Sequence, residues 1–315
     1  MVTKLRQRTT KIKIFFILSL ISFDIFCNDY EITKILTLEN PWGLTFLSEN
    51  KILITEKKGE VLLVDLITNK KKIIPHNLIP INRGQGGLLD ILYQNDEIFV
   101  CYSENRGYGK SSTSIAKSKY SELKLNFRNI FQANPPIKSN LHFGCRMAIQ
   151  NKKYLFASLG ERGKGNIAQD VKSHPGSIIR IHLDGSIPIH NPKFVSNPEW
   201  QPEIYQIGVR NPQGITISPL NNKIYISNHG PRGGDFVGVV DFAGNYGWKL
   251  WCWGGRNYNF TRCGEKHEHE NGFTQPIHTW VPSIAISSIQ VYKGKEFNNW
   301  RNKFLIASLK DKSLR

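Results

Sequence analysis

The sequence predicts an all-β fold and, within that class, a β-propeller of four-stranded antiparallel blades. One unit recurs along the chain: an apolar strand, a short turn with Asn, Gly or Lys, a second apolar strand, a turn with Gly and a third strand. No convincing helix separates these short strands, and a propeller protects the edges of such small sheets by arranging them around a ring. The recurring unit is found in residues 44–66, 90–104, 147–185, 215–230 and from 289 onward.

The two ends of the chain bear on how the ring would close. Residues 31–38 (EITKILTL) have the composition of a strand, and in a propeller such a strand from one terminus completes the last blade. The fifth unit begins at Ile289 and the sequence ends at Arg315, partway into a blade. We therefore expect one propeller domain over residues 29–315 whose last blade is incomplete.

The first 28 residues have the pattern of a secretory signal peptide. Basic residues precede the apolar run 14–23, which is too short for a comfortable membrane span. Cys27 leaves lipidation open as an alternative, although the large Phe26 before it argues against that processing. The sequence predicts export to the periplasm or secretion, with no stable membrane span after cleavage.

The formal net charge is +17 at pH 7, which raises the question of a nucleic-acid partner. The lysines occur as pairs and triplets at strand ends and turns, such as residues 57–58 and 70–72, without interleaved aromatic residues. This distribution is typical of a solvated surface, so no nucleic-acid partner is expected. A basic balance also suits the binding of an acidic cofactor.

The cysteines and a histidine-rich run are candidates for disulfide and metal sites. Cys252 and Cys263 flank a Gly-rich loop and could pair in an oxidising compartment, whereas Cys101 has the surroundings of a buried strand residue. No Cys-x-x-Cys motif occurs, so a structural zinc site is not expected. The KHEHE run at 266–270 resembles a metal cluster in composition only, and a solvated charged loop describes it better.

Two residues of the third unit could form an acid–base pair. His142 lies in NLHFGCRM, just before the strand pair of that unit, where a loop would reach the central channel. A neutral imidazole there could accept a proton from a substrate hydroxyl. Glu161 in LGERG ends the neighbouring strand, and its carboxylate could hold the other ring nitrogen. The alternative for His142 is an ordinary packed loop histidine.

Two polar loops bracket the strand pair of residues 215–228. In the first, Pro212 stiffens the backbone after Arg210 and Asn211, and an arginine fork there suits a carboxylate or an enediolate-like oxygen. In the second, Gly230 and Pro231 could turn successive carbonyls outward, an arrangement suited to Ca²⁺. Each loop could equally be a plain turn. The GERGKG run at 160–165 is not a phosphate loop, because no helix follows it.

An ordered series of short motifs resembles a known family. The series runs PWGLTFL, GQGGLLDI, HFGCRM, LGERG, AQD, GVRNPQGI, HGPRGGD, NYGW and WVPSIA. In this order the motifs resemble the PQQ-dependent aldose sugar dehydrogenases of the glucose/sorbosone dehydrogenase family, from about Glu31 to the end of the chain. The resemblance implies a six-bladed propeller, periplasmic export, PQQ, Ca²⁺, oxidation of the anomeric carbon of an aldose to a lactone, and an external electron acceptor.

The resemblance also implies roles for the reacting residues. His142 matches the general base, Glu161 occupies the place of an aspartate that orients that base, and Gln85 matches a substrate-contacting glutamine. The carbonyls of Gly230 and Pro231 match calcium ligands. His142 would remove the anomeric hydroxyl proton while hydride passes from the sugar to the quinone.

Further matches concern the cofactor. Arg210 and Asn211 match residues that contact PQQ, and Arg210 would also stabilise charge on the quinone oxygen during the reaction. Ser283 stands at a hydroxyl-bearing position, and Lys310 stands at the lysine that contacts the cofactor.

The chain departs from the family pattern at several positions. Glu161 replaces Asp, Val209 replaces a histidine, Phe236 replaces an acidic residue and Ile286 replaces a proline. The family's last strands, with further arginines that face the quinone, would lie beyond Arg315. An inactive truncated propeller or a carbohydrate-binding module is therefore an alternative. A Ca²⁺-dependent lactonase is less well supported, because it would need acidic and Asn metal ligands in the central channel.

Overall fold

A computed structural model of the chain describes residues 2–12, 25–264 and 272–315. The apolar run of the expected signal peptide and the KHEHE segment lie outside the described residues. The described residues contain short 3-10 helices at Gly165–Gln169 and Asn298–Trp300 and a single turn of α-helix, α1, at Pro192–Val195. None of these described helices has the length and apolar character that a membrane crossing requires.

Most of the described chain forms antiparallel sheets of consecutive strands, which are the blades of a propeller. The first blade contains β3 (Pro41–Phe46), β4 (Lys51–Glu56), β5 (Val61–Asp65) and β6 (Lys70–Ile74). The second contains β7 (Leu88–Gln94), β8 (Glu97–Asn105), β9 (Ser111–Lys119) and β10 (Arg128–Gln132). The third contains β11 (Gly144–Gln150), β12 (Tyr154–Leu159), β13 (Ser177–His182) and β14 (Ile204–Ile207).

The fourth and fifth blades continue this order. The fourth contains β15 (Pro212–Ile217), β16 (Ile224–Asn228), β17 (Asp235–Val239) and β18 (His278–Trp280). The fifth has three strands, β19 (Ile286–Val291), β20 (Phe304–Ser308) and β21 (Ser313–Leu314). A separate two-stranded sheet pairs β1 (Val2–Ile12) with β2 (Ile25–Leu36). The prediction of an all-β propeller with four-stranded antiparallel blades is confirmed.

A blade can be apolar on both faces, as in the first blade, which packs against the second blade on one face and against Leu38 on the other. Since side chains alternate along a strand, successive residues of β4 face opposite ways. Leu53 lies in the core between the first and second blades, whereas Ile52 and Ile54 lie on the other face with Leu38. Strands buried on two faces therefore have continuous apolar runs rather than simple alternation.

The first strand of each blade is the innermost. The strands β3, β7, β11, β15 and β19 contact one another in that order and surround a central cavity of about 730 Å³. Among its lining residues are Asp90, Arg146 and Gln213, so its wall is partly polar. This ring sets the positions of the loops that join the strands.

Two expectations about the ring are not met. The described residues form five blades, whereas six were expected. Residues 31–36 lie in β2, which pairs with β1 and not with the fifth blade. Leu38 is instead buried against Ile52 and Ile54 on the free face of the first blade. Burial of apolar side chains on that face thus decides the path of this segment, which strand composition alone does not reveal.

Two disulfides connect the described residues. Cys252 and Cys263 are bonded, which confirms the predicted pairing. Cys101 is buried in β8, as expected, but it is also bonded to Cys145 at the start of β11. The sequence did not identify this second bond, because the two cysteines become neighbours only when the second and third blades pack together.

Candidate active site

The candidate residues all emerge at one end of the propeller. In a blade of antiparallel strands, the start of the first strand and the end of the second lie at the same end. Five of the residues precede a first strand and the others follow a second strand. The former group is Gln85 before β7, His142 before β11, Arg210 and Asn211 before β15, and Ser283 before β19. The latter group is Glu161 after β12, Gly230 and Pro231 after β16, and Lys310 after β20.

His142 and Glu161 form a buried pair. The imidazole Nδ1 lies 2.6 Å from Oε1 of Glu161, and the side chains are 11% and 3% exposed. The other carboxylate oxygen, Oε2, is buried without a hydrogen-bond partner among the described residues. A carboxylate at Nδ1 favours the tautomer with a proton on that nitrogen and leaves Nε2 with a lone pair. The ring can therefore accept a proton at Nε2.

The backbone around His142 is held in an uncommon conformation. Its φ angle is +47°, in the left-handed region. Its N–H donates to Oε1 of Gln85 (2.7 Å), and its carbonyl accepts from the N–H of Arg162 (3.2 Å). Gly160 lies against the same carbonyl so closely that a Cβ there would collide with it. The approach of these two loops brings the imidazole and the Glu161 carboxylate together.

Arg210 and Asn211 are fixed by their main chain. Both N–H groups donate to Oδ1 of Asn228, at 3.1 and 2.9 Å. The carbonyl of Arg210 accepts from the N–H of Glu161 (2.9 Å), which joins this loop to the His142 pair. Asn211 in turn accepts from the N–H of Gly144 through Oδ1 (3.0 Å). The two loops that bracket β15 and β16 thus meet at one end of the propeller.

The guanidinium of Arg210 lies between aromatic rings. Its Cζ is 5.5 Å from the ring centroid of Trp248 and 6.0 Å from that of Tyr258, and Nη1 donates to the carbonyl of His229 (3.4 Å). The indole Nε1 of Trp248 is buried without a hydrogen-bond partner among the described residues. This wall offers a cation, two aromatic surfaces and one unused donor.

The loop after β16 is braced by Asp235. The N–H of Gly230 donates to its Oδ1 (2.8 Å), and the N–H of Ile286 donates to its Oδ2 (2.9 Å). Gly230 and Pro231 are both buried. Burial lowers the pKa of His229 to about 4, with Arg210 and His142 adding to the effect and Asp235 opposing it. A neutral imidazole therefore stands beside the proposed calcium ligands.

Ser283 and Lys310 continue the site onto the fifth blade. The N–H of Ser283 donates to the carbonyl of Arg232 (2.7 Å), and Nζ of Lys310 donates to the carbonyl of Ser283 (3.3 Å). The hydroxyl of Ser283 is buried and has no partner in the described part of the chain. Hydrogen bonds thus run from Gln85 to Lys310 through every candidate loop.

No group of three His, Cys, Asp or Glu side chains that could hold a metal occurs among the described residues. The calcium site expected from the sequence is of a different kind, because it depends on the backbone carbonyls of Gly230 and Pro231.

The sequence did not identify several residues that build the site. Asn228 accepts from the N–H groups of Arg210 and Asn211, and Asp235 accepts from that of Ile286, so these roles appear only when the segments meet. Trp248, the last residue of the NYGW motif, and Tyr258 flank Arg210. The signal that could have identified these two residues is the tryptophan-rich segment that begins at Trp248 and contains the Cys252–Cys263 disulfide.

Three departures from the family pattern have packing roles. Val209 and Phe236 are buried in the core between the third and fourth blades, and Ile286 is buried between the fourth and fifth. These apolar side chains contribute to blade contacts, where a charged residue would need a buried partner.

Comparisons with known proteins agree with this architecture. The glucose/sorbosone dehydrogenase family model matches residues 38–315. Aldose sugar dehydrogenase YliI of Escherichia coli (strain K12) is 35% identical over 288 residues, which cover 88% of this chain and 77% of that protein.

Solved structures show the same fold. The apo-form of the soluble aldose sugar dehydrogenase from Escherichia coli superimposes with a TM-score of 0.82 at 35% identity, covering 88% of this chain and 82% of that one. The PQQ-bound aldose sugar dehydrogenase of Streptomyces coelicolor gives a TM-score of 0.71 at 24% identity, covering 88% and 77%. On the family match and the Escherichia coli relative, the chain belongs to the glucose/sorbosone dehydrogenase family.

Proposed function

We propose that the protein is a quinoprotein oxidoreductase that oxidises the anomeric C1 of an aldose to a lactone, with PQQ as cofactor and Ca²⁺ as metal. The observation that carries the proposal is the buried His142–Glu161 pair, which shares a backbone hydrogen bond with the Arg210 loop. An imidazole with a free Nε2 beside a guanidinium is suited to removing a hydroxyl proton where negative charge develops. Family membership supports the reaction class.

The residues present fit PQQ, which is planar and carries carboxylates. Arg210 and Lys310 supply positive charge, and the rings of Trp248 and Tyr258 supply flat surfaces. The buried hydroxyl of Ser283 and indole N–H of Trp248 have unused hydrogen-bonding capacity in the described structure. Asn211 lies beside Arg210 on the same loop. When bound, PQQ would accept the hydride from the sugar. The PQQ-bound Streptomyces coelicolor relative supports this choice of cofactor.

His142 would act as the general base. Nε2 would accept the proton of the anomeric hydroxyl, while Glu161 holds Nδ1–H and stabilises the imidazolium that forms. Gln85 is exposed, and its Oε1 already accepts from the N–H of His142. Its amide NH₂ would therefore be available to a sugar hydroxyl.

Ca²⁺ would be held by the carbonyls of Gly230 and Pro231. Carbonyl oxygens are hard ligands of the type that Ca²⁺ takes, and Asp235 holds the backbone of this loop in place. A cation there would favour negative charge developing near Arg210.

The cellular setting is also a proposal. Residues 1–28 would direct export, the propeller would act in the periplasm or outside the cell, and an external acceptor would remove the electrons. An intact-mass measurement of the exported protein would test the processing, since a retained N-terminus would contradict it.

The activity is tested by adding PQQ and Ca²⁺ to the purified protein and following dye reduction with a panel of aldoses. We expect reduction that depends on both additions and on an aldose. If no aldose reduces the dye and the protein retains no quinone absorbance, the proposal is wrong. Sugar binding by calorimetry without dye reduction would favour the carbohydrate-binding alternative.

A further inference from the structure

Arg162 has a buried side chain that binds the loop carrying His142. Arg162 as a whole is 2% exposed. Nε donates to the carbonyl of Leu141 (3.0 Å), and Nη2 donates to the carbonyl of Ser139. The remaining bonds go to Ser111, from Nη1 to the carbonyl (3.0 Å) and from Nη2 to the hydroxyl (2.8 Å). One guanidinium thus ties residues 139–141 to the start of β9.

The same residue holds the loop in two further ways. The Cζ of Arg162 lies 3.6 Å from the ring centroid of Phe143. The main-chain N–H of Arg162 donates to the carbonyl of His142 (3.2 Å). Contacts with Arg162 therefore surround His142 on both sides along the chain. Burial lowers the pKa of Arg162 to about 10, with Glu161 opposing the effect, so the side chain is a cation at neutral pH.

We propose that Arg162 is a positioning residue, which holds the His142 loop in the conformation that brings the imidazole onto Glu161. The φ angle of His142 is +47°, a conformation that contacts from outside the residue must maintain. A planar guanidinium can bind several carbonyls at fixed angles, whereas a lysine ammonium is a single point charge. The catalytic consequence rests on the proposed function, but the structural consequence does not.

Arg180 offers a matched control within the same blade. Its Cζ lies 5.0 and 4.8 Å from the ring centroids of Tyr154 and Tyr205, and Nε donates to Oδ1 of Asn191 (2.6 Å). Burial lowers the pKa of Arg180 as well. It is thus another arginine stacked on aromatic rings, and its contacts lie on β12, β14 and the segment after β13.

The first experiment measures amide hydrogen exchange by NMR in R162K and R180K, without added cofactor. The reporters are Gln85, whose N–H donates to the carbonyl of Asn140 (2.8 Å), and His142, whose N–H donates to Gln85. In R162K we expect both amides to exchange at least about tenfold faster, while R180K leaves them unchanged. R162M removes the donors altogether and should give a larger effect if it folds. Equal exchange in R162K and R180K would overturn the proposal.

The second experiment measures dye reduction by the same variants loaded with PQQ and Ca²⁺. We expect kcat of R162K to fall about ten- to a hundredfold with KM for the aldose changed by less than about threefold, because the base is misplaced. R180K should keep the parent kcat at a similar melting temperature. Faster exchange with unchanged kcat in an active protein would overturn the proposal. If the parent protein reduces no dye, the proposed function fails and the exchange measurement alone decides the role of Arg162.

Discussion

The third blade contains two histidine–carboxylate pairs, and they differ in a way that distinguishes a candidate catalytic pair from a structural contact. His142 is bonded through Nδ1 to Glu161, and no described residue hydrogen-bonds its Nε2. In the other pair, Nε2 of His174 lies 3.1 Å from Oε2 of Glu203, while Nδ1 accepts the N–H of Asn134 (3.0 Å). Both nitrogens of His174 are therefore used by the protein, and its ring cannot exchange a proton with a substrate.

The surroundings of the pairs differ in the same sense. The ring of His174 packs edge-on against Phe131, at 5.1 Å between centroids, and its own backbone also bonds Asn134. His142 instead lies beside Gln85, and its partner Glu161 is bonded to the Arg210 loop. A histidine bonded to a carboxylate is thus a candidate base only when its second nitrogen faces space that a substrate can enter.

The largest expected effect distinguishes the two histidines by activity. H142N should lower kcat for dye reduction about a thousandfold, because general-base catalysis typically contributes factors of 10² to 10⁴. H174L should keep the parent kcat once loaded with PQQ and Ca²⁺. Comparable loss in both variants would show that the two pairs do not differ in function.

A smaller effect is expected from the carboxylate of the first pair. E161Q should lower kcat by roughly ten- to a hundredfold, because an amide neither selects the Nδ1–H tautomer as strongly nor stabilises the imidazolium. E161D restores the family's aspartate and should retain more activity than E161Q. The order of the two kcat values is the measurement, and a more active E161Q would contradict the assignment.

The second pair is expected to matter for stability. H174L leaves the N–H of Asn134 and the carboxylate of Glu203 without their partner, so the free energy of unfolding should fall by about 2 kcal/mol. Urea denaturation monitored by tryptophan fluorescence measures this change. An unchanged midpoint would mean that water or relaxation replaces both bonds.

The smallest expected effect concerns pH. Burial alone would raise the pKa of Glu203, but its interactions with His174, of which the hydrogen bond is the larger, outweigh burial and hold that pKa below its usual value of 4.5. The folded protein thus binds this proton less readily than the unfolded chain. The ionised Glu203 therefore contributes stability at pH values above the unfolded pKa, and this stability is lost as the pH falls through the folded pKa. E203Q should lower the free energy of unfolding at neutral pH by about 0.5–1 kcal/mol. It should also make that free energy fall less steeply as the pH is lowered, which urea denaturation at a series of acidic pH values measures. The same dependence on acidic pH in E203Q and the parent protein would contradict this account.

The sequence alone predicted the third blade's candidate pair but not its second histidine pair. His142 and Glu161 stand beside recognisable strands and in motifs with a family resemblance, so their proximity could be expected. His174 and Glu203 are 29 residues apart, and Asn134 comes from the connection between β10 and β11. The roles of Arg162, Asn228 and Asp235 were likewise missed, because each binds a loop distant in sequence.

Local sequence determined the strands, because apolar runs and Gly- or Asn-containing turns act over a few residues, and it also determined the order of the loops. Tertiary structure decided which groups meet: Cys101 with Cys145, Leu38 with Ile52 and Ile54, and the Glu161 N–H with the Arg210 carbonyl. It also decided that the described residues form five blades and that β2 pairs with β1. These outcomes depend on burial between distant segments, which short-range patterns do not encode.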